Sequence, residues 1–214
     1  NLQNQIDSAQ SAVKSVEKTI DGFEGVMEVA QDLNKSLSKT DLSAILGDTK
    51  TVVSDTEDAI KVAESSVDAV TSSVGDVLKS SSKKLANSAN NLKKINDTNS
   101  DKAQAEIKSV LAECAQARKE LQAIVPALEK VNDNLPKPLS SVKALIKVLK
   151  TADSRLGGVE NELNKILKGD TSKKIGDVAD KLISVSTTLD SSLSTYTKEI
   201  KPQLDKTVDS LLDV

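Results

Sequence analysis

Between Ala103 and Leu135 the apolar residues recur at Ala103, Ile107, Val110, Cys114, Ala117, Leu121, Ile124, Leu128, Val131 and Leu135. The steps alternate four and three. Their mean lies close to the 3.6 residues of a helical turn, so the pattern predicts one long amphipathic helix with a narrow apolar stripe. Ile6, Ala9, Val13, Val16, Ile20, Phe23, Met27 and Ala30 keep the same rhythm, and Asn34 interrupts it before Leu37. A helix over 1–37 would be about 55 Å long at 1.5 Å per residue.

A second run carries Leu42, Ile45, Thr49, Val53, Thr56, Ile60, Ala63, Val67, Val70, Val74 and Val77. Beyond it Leu78, Leu85, Ala89 and Leu92 continue one residue out of phase, a stutter of the kind that unwinds a supercoil locally. The stutter lies beside Gly75 and "KSSSKK". The expected helix is therefore 41–95, with a bend or break near 75–84. "NDTNSD" is the next turn, with Ser100 or Asp101 as N-cap and Asp101–Gln104 at capping-box spacing. The third helix, 101–134, ends at "LPKPL", where Pro136 and Pro138 lack backbone donors. It contains Pro126, which predicts a kink that frees the Gln122 carbonyl.

A fourth helix, 138–168, carries Val142, Ile146, Leu149, Leu156, Val159, Leu163 and Ile166, and is weakened by Gly157-Gly158. Gly169 is placed to end it, with Asp170 or Thr171 capping the next. The fifth, 172–212, carries Ile175, Val178, Leu182, Val185, Leu189, Leu193, Tyr196, Ile200, Leu204, Val208 and Leu211, with Pro202 as an interruption or kink. No stretch alternates with period two. The fold class expected is all-α: one elongated antiparallel bundle over 1–214, about five long helices, with coiled-coil-like heptad packing and short connections.

Composition sharpens this picture. Aromatic residues make up 1% of the 214, with one Phe, one Tyr, no Trp and no His. Compact mixed folds lean on aromatic burial, whereas a helical seam can be built from Leu, Val, Ile and Ala. The charges are mixed, 29 basic against 32 acidic, which gives no nucleic-acid footprint. No apolar run approaches the length of a transmembrane helix. Residue 1 is Asn, so the chain is expected to be processed or cut from something longer.

Candidate chemistry is sparse. A hydrolytic triad of the usual kind needs a His. No His/Cys cluster, calcium loop, phosphate loop or dinucleotide glycine pattern appears, so no catalytic residue, metal or cofactor is expected. Cys114 lies in phase with its seam and reads as a buried thiol rather than a reactive one. Phe23, Met27 and Tyr196 are seam residues and also pocket candidates, because "DGFEGVM" sets Gly22 and Gly25 beside Phe23. Asn34 and Asn96 open glycosylation acceptor triplets.

The expected function is a non-enzymatic structural or interaction module: a rigid helical rod that spaces, docks or assembles, with a protein partner or another copy of itself. The alternative is an amphipathic carrier of lipid or another hydrophobic ligand. In composition alone, on no motif, the chain resembles the Ser/Asp/Lys/Val-rich helical ectodomains of bacterial surface proteins such as the phage infection protein family. That likeness implies an extracellular or secreted stalk.

Overall fold

A computed structural model describes residues 2–37, 56–170 and 172–212. They form helices α1 (Leu2–Leu37), α2 (Thr56–Lys93), α3 (Asp101–Asp133), α4 (Ser140–Leu167), α5 (Ile175–Thr195) and α6 (Lys201–Leu212), with a single π turn, Tyr196–Ile200, joining the last two. The protein is an all-α helical bundle, without a strand among the described residues. The 38 residues of α2 span about 57 Å at 1.5 Å per residue. The part of the second predicted helix before Thr56 lies outside the described residues.

Helices α2, α3, α4 and α5 close a ring in which each packs on the next and α5 returns to α2. Helix α1 lies against α2 and α3, and α6 extends the α5 line along α2. The apolar side chains of all six helices merge into one cluster. Every residue of the ten-membered stripe from Ala103 to Leu135 is buried, as its spacing requires. From Glu120 onward the buried face of α3 widens to include Val125, Ala127 and Asn132.

Several local features depart from the sequence expectations. Helix α2 runs unbroken through 75–84. The stutter is absorbed by Ser81 and Ser82, which are buried where the apolar phase changes. Ser81 Oγ donates to Glu120 Oε2 (3.2 Å), and the Ser82 carbonyl accepts from Ser186 Oγ (2.7 Å). Small side chains with partners fill the phase change, so the helix need not break there. Helix α3 runs from Asp101 to Asp133 with Pro126, an exposed residue, inside it.

In α1 the buried line is Val26–Ala30–Leu33–Leu37. At the other end Ile6 and Ala9, expected in the seam, are exposed.

The turns follow their chemistry closely. Ser100, not Asp101, caps α3: its hydroxyl accepts from the Ala103 amide (3.1 Å) and donates to the Asp97 carbonyl (3.0 Å). Gly169, at φ 92°, closes α4. The Asp170 amide donates to the Lys165 carbonyl and the Gly169 amide to that of Ile166, the paired bonds of a Schellman ending. Asp170 does not cap α5, which starts later than predicted, after Lys174. Its carboxylate instead accepts from the Ser172 amide (2.9 Å) and hydroxyl (2.6 Å), and those bonds lower its pKa.

Pro202 does not break the last helical run. The ring has no N–H to give and would collide with the carbonyl one turn back. The π turn precedes it, with the Lys201 amide donating five residues back to the Tyr196 carbonyl. Packing asks for the same adjustment. Tyr196, Ile200, Leu204 and Val208 are all buried at successive steps of four. Each such step overshoots a 3.6-residue turn by about 40°, and one wider turn takes up part of that drift.

Candidate functional site

Several buried polar side chains fasten one element of the bundle to another, while Thr71, Ser82 and Ser192 bond back to carbonyls of their own helix. Tyr196 is fully buried, and its hydroxyl donates to the Thr71 carbonyl of α2 at 2.6 Å. Burial, then the charge of Asp205, push its phenol well above the ordinary 10.0. Asn132, also buried, brackets the turn into α4: its Nδ2 donates to the Leu139 carbonyl (3.2 Å) and its Oδ1 accepts from the Leu139 amide (2.9 Å). Glu120 is buried between α2 and α3, with Ser81 on one oxygen and Gln116 on the other (3.3 Å).

A second cluster bridges α3 and α4. The Arg118 guanidinium donates through Nε to Asp153 (2.9 Å) and through Nη1 to Glu160 (3.0 Å), while Gln122 also donates to Asp153. It lies over Gly157, where an added Cβ would stand 3.0 Å from Nη1. At Gly158 a Cβ would meet nothing within 4 Å. These two glycines therefore make a controlled pair. Gly158→Ala should raise stability by roughly 0.5–1 kcal/mol through helix propensity. Gly157→Ala should gain little, because the fork must shift. The fork itself is one-third exposed, which limits its worth to about 0.2–1 kcal/mol. Equal rises in the urea midpoint would show that the fork does not rest on Gly157.

Cys114 is buried, as its place in the seam predicts. Burial pushes its thiol from the ordinary 9.0 to about 12, helped by Glu160 and Glu113 and opposed by Arg118. The thiolate is the reactive form, so native protein should resist thiol reagents and react only on unfolding. The linkage has a definite sign. Well below pH 9.0 neither state ionises; from near 9.0 up to about 12 the unfolded chain loses a proton that the folded chain keeps, so stability falls as pH rises. A native thiol that labels at the rate of a free one would place Cys114 at the surface.

Of the pocket candidates only Tyr196 has a described side chain. Tyr196 faces α2 and ranges over Gly75. The side chains of Phe23, Met27 and Asn34 lie outside the described residues. Asn96 is exposed on the turn between α2 and α3, where an acceptor triplet is accessible. Among the described residues no group of three or more His, Cys, Asp or Glu could hold a metal ion. None of the described helices is long and apolar enough to cross a membrane.

What remains is surface relief. Lys143, Lys147 and Lys150 line a basic groove of about 380 Å³ on α4. Another groove, of about 440 Å³, runs between α4 and α5, lined by Ala144, Leu145, Val148, Thr188, Ser191 and Thr195 among others, none of them charged. Sequence reasoning missed it, because its residues come from two helices and carry no motif. The missed signal was the uncharged run "ISVSTTL" on α5. No family model matches the chain, and neither does any curated protein or solved structure.

Proposed function

We propose that the chain is a non-enzymatic interaction module, a rigid rod of helices that spaces or docks partners outside the cell, its apolar stripes packed as in a coiled coil. The observation that carries this reading is the use of the buried polar groups. Tyr196, Ser186, Ser81 and Asn132 each tie one element of the bundle to another, and the thiol is sealed in the core. Such bonds hold the helices in one arrangement; they favour a fixed rod over helices that part to take up a ligand.

The second reading, a carrier of lipid or another hydrophobic ligand, draws on the groove between α4 and α5. The two differ in one measurement. A ligand bound only by the native state raises stability by RT ln(1 + [L]/Kd), about 2.7 kcal/mol at a hundredfold excess over Kd. A rod should melt at the same temperature with and without fatty acids or liposomes, and should not float with vesicles. A melting point that climbs with fatty-acid concentration would replace the rod by the carrier.

A further inference from the structure

Among the described residues the large apolar side chains left exposed are Leu2 (73%), Ile6 (43%) and Val148 (39%). They fall on two surfaces. Leu2 and Ile6 belong to the first turns of α1, where every residue from 2 to 10 is exposed. With Ala9 they begin the stripe whose continuation further along α1 enters the core. Val148 lies in the groove between α4 and α5.

These surfaces suit one another. No charged side chain lines the groove, and Asp7 is the only charge among residues 1–13. In a chain with 29% charged residues, the groove can therefore be covered without stripping water from a charge, and the arm brings only Asp7 near it. Their lengths agree as well. The groove runs from Ser141 to Val148 on α4 and from Thr187 to Thr195 on α5, with Ile200 of the π turn at its end, about 10 Å and 12 Å at 1.5 Å per residue. The exposed residues 2–10 of α1 make about 12 Å of helix on the same measure.

One molecule does not bring them together. Helix α1 packs on α2 and α3, the side of the ring opposite α4 and α5, and makes no substantial contact with either of those among the described residues. We propose that the first turns of α1 dock in the α4–α5 groove of a second copy, joining copies head to tail. This rests on the interaction-module reading and names the partner. The contact joins unlike patches, so it is heterologous, and it extends into a chain or closes into a ring rather than stopping at a two-fold dimer.

The test is sedimentation of the full chain from micromolar to millimolar concentration, starting from the single-chain mass of 22.7 kDa. Wild type should grow with concentration beyond the dimer. Ile6→Asp and Val148→Asp change exposed positions, so both should keep the native circular dichroism. Each should weaken association roughly tenfold or more by setting a charge in the contact. Mixed together, the two variants should form a pair and go no further, since each retains one sound surface. Leu2→Asp and Ala144→Asp repeat the design at neighbouring exposed sites should either first variant misfold.

Wild type that stays single at the highest concentration overturns the proposal. So does loss of association in Ile6→Asp but not in Val148→Asp, which would mean that arms pair with arms. Flotation of wild type with vesicles that Ile6→Asp abolishes overturns it in favour of a lipid surface. A chain that stays single and binds no lipid sinks the self-docking and leaves the interaction-module reading standing; a melting shift with fatty acid sinks that reading instead.

Discussion

Leu121→Asp should lower the stability of the bundle by about 3–5 kcal/mol, the cost of an uncompensated charge in a core. Leu121 is 1% exposed and sits midway along the α3 stripe. The residue before it shows what a carboxylate needs in this interior. Glu120 is tolerated because Ser81 and Gln116 each give one of its oxygens a donor. Leu121 instead belongs to the apolar cluster of the core. Leu121→Ala separates the charge from the lost volume, since deleting the side chain alone costs about 2–5 kcal/mol depending on how far the site collapses. Asp should cost more than Ala at neutral pH. Burial would raise the pKa of the new carboxyl, so acidification should neutralise it and recover the difference between the two variants. Urea titration measures both, and Cys114, one heptad earlier, reports opening through its reactivity. An Asp variant as stable as wild type would show that the stripe is not core.

The stripes were legible because helical burial is periodic and local. The run from Ala103 to Leu135 could be assigned to the interior from spacing alone, and Cys114 with it. The deviations were legible only in part. Steps of four from Tyr196 to Val208 were visible in the sequence and implied a widened turn, yet Pro202 drew attention as a breaker instead. The stutter after Val77 predicts a bend or break, because nothing local reveals that Ser81 and Ser82 will meet Glu120 and Ser186. Asn34 marked a disturbance in α1, but not that the buried line would step to Leu33. The Arg118 fork was invisible. Its carboxylates, Asp153 and Glu160, stand on another helix, and only the register of α3 on α4 brings them within 3.0 Å. The groove between α4 and α5 likewise belongs to a pair of helices and to neither sequence alone.

Tyr196→Ala should cost about 3–5 kcal/mol, as for other large buried aromatic side chains. Tyr196→Phe should cost only about 0.5–1.5 kcal/mol, the net worth of one hydrogen bond. The ring is fully buried at the π turn, and its hydroxyl reaches the Thr71 carbonyl on α2 at 2.6 Å. Phe keeps the packed ring and gives up only that bond. Ala empties the place where the widened turn is held against α2, so α6 should loosen with it. Because this is the only Tyr and the chain has no Trp, its absorbance can be read without interference. The folded phenol is held above its ordinary 10.0. At pH values just above 10.0 the unfolded chain ionises and the native one does not, so stability should fall as pH rises through that range. Tyrosinate absorbance should then appear together with loss of helical circular dichroism, not before it. Ionisation near 10.0 in protein that is still fully helical would show that the hydroxyl is open to water and that the link to Thr71 does not hold the turn.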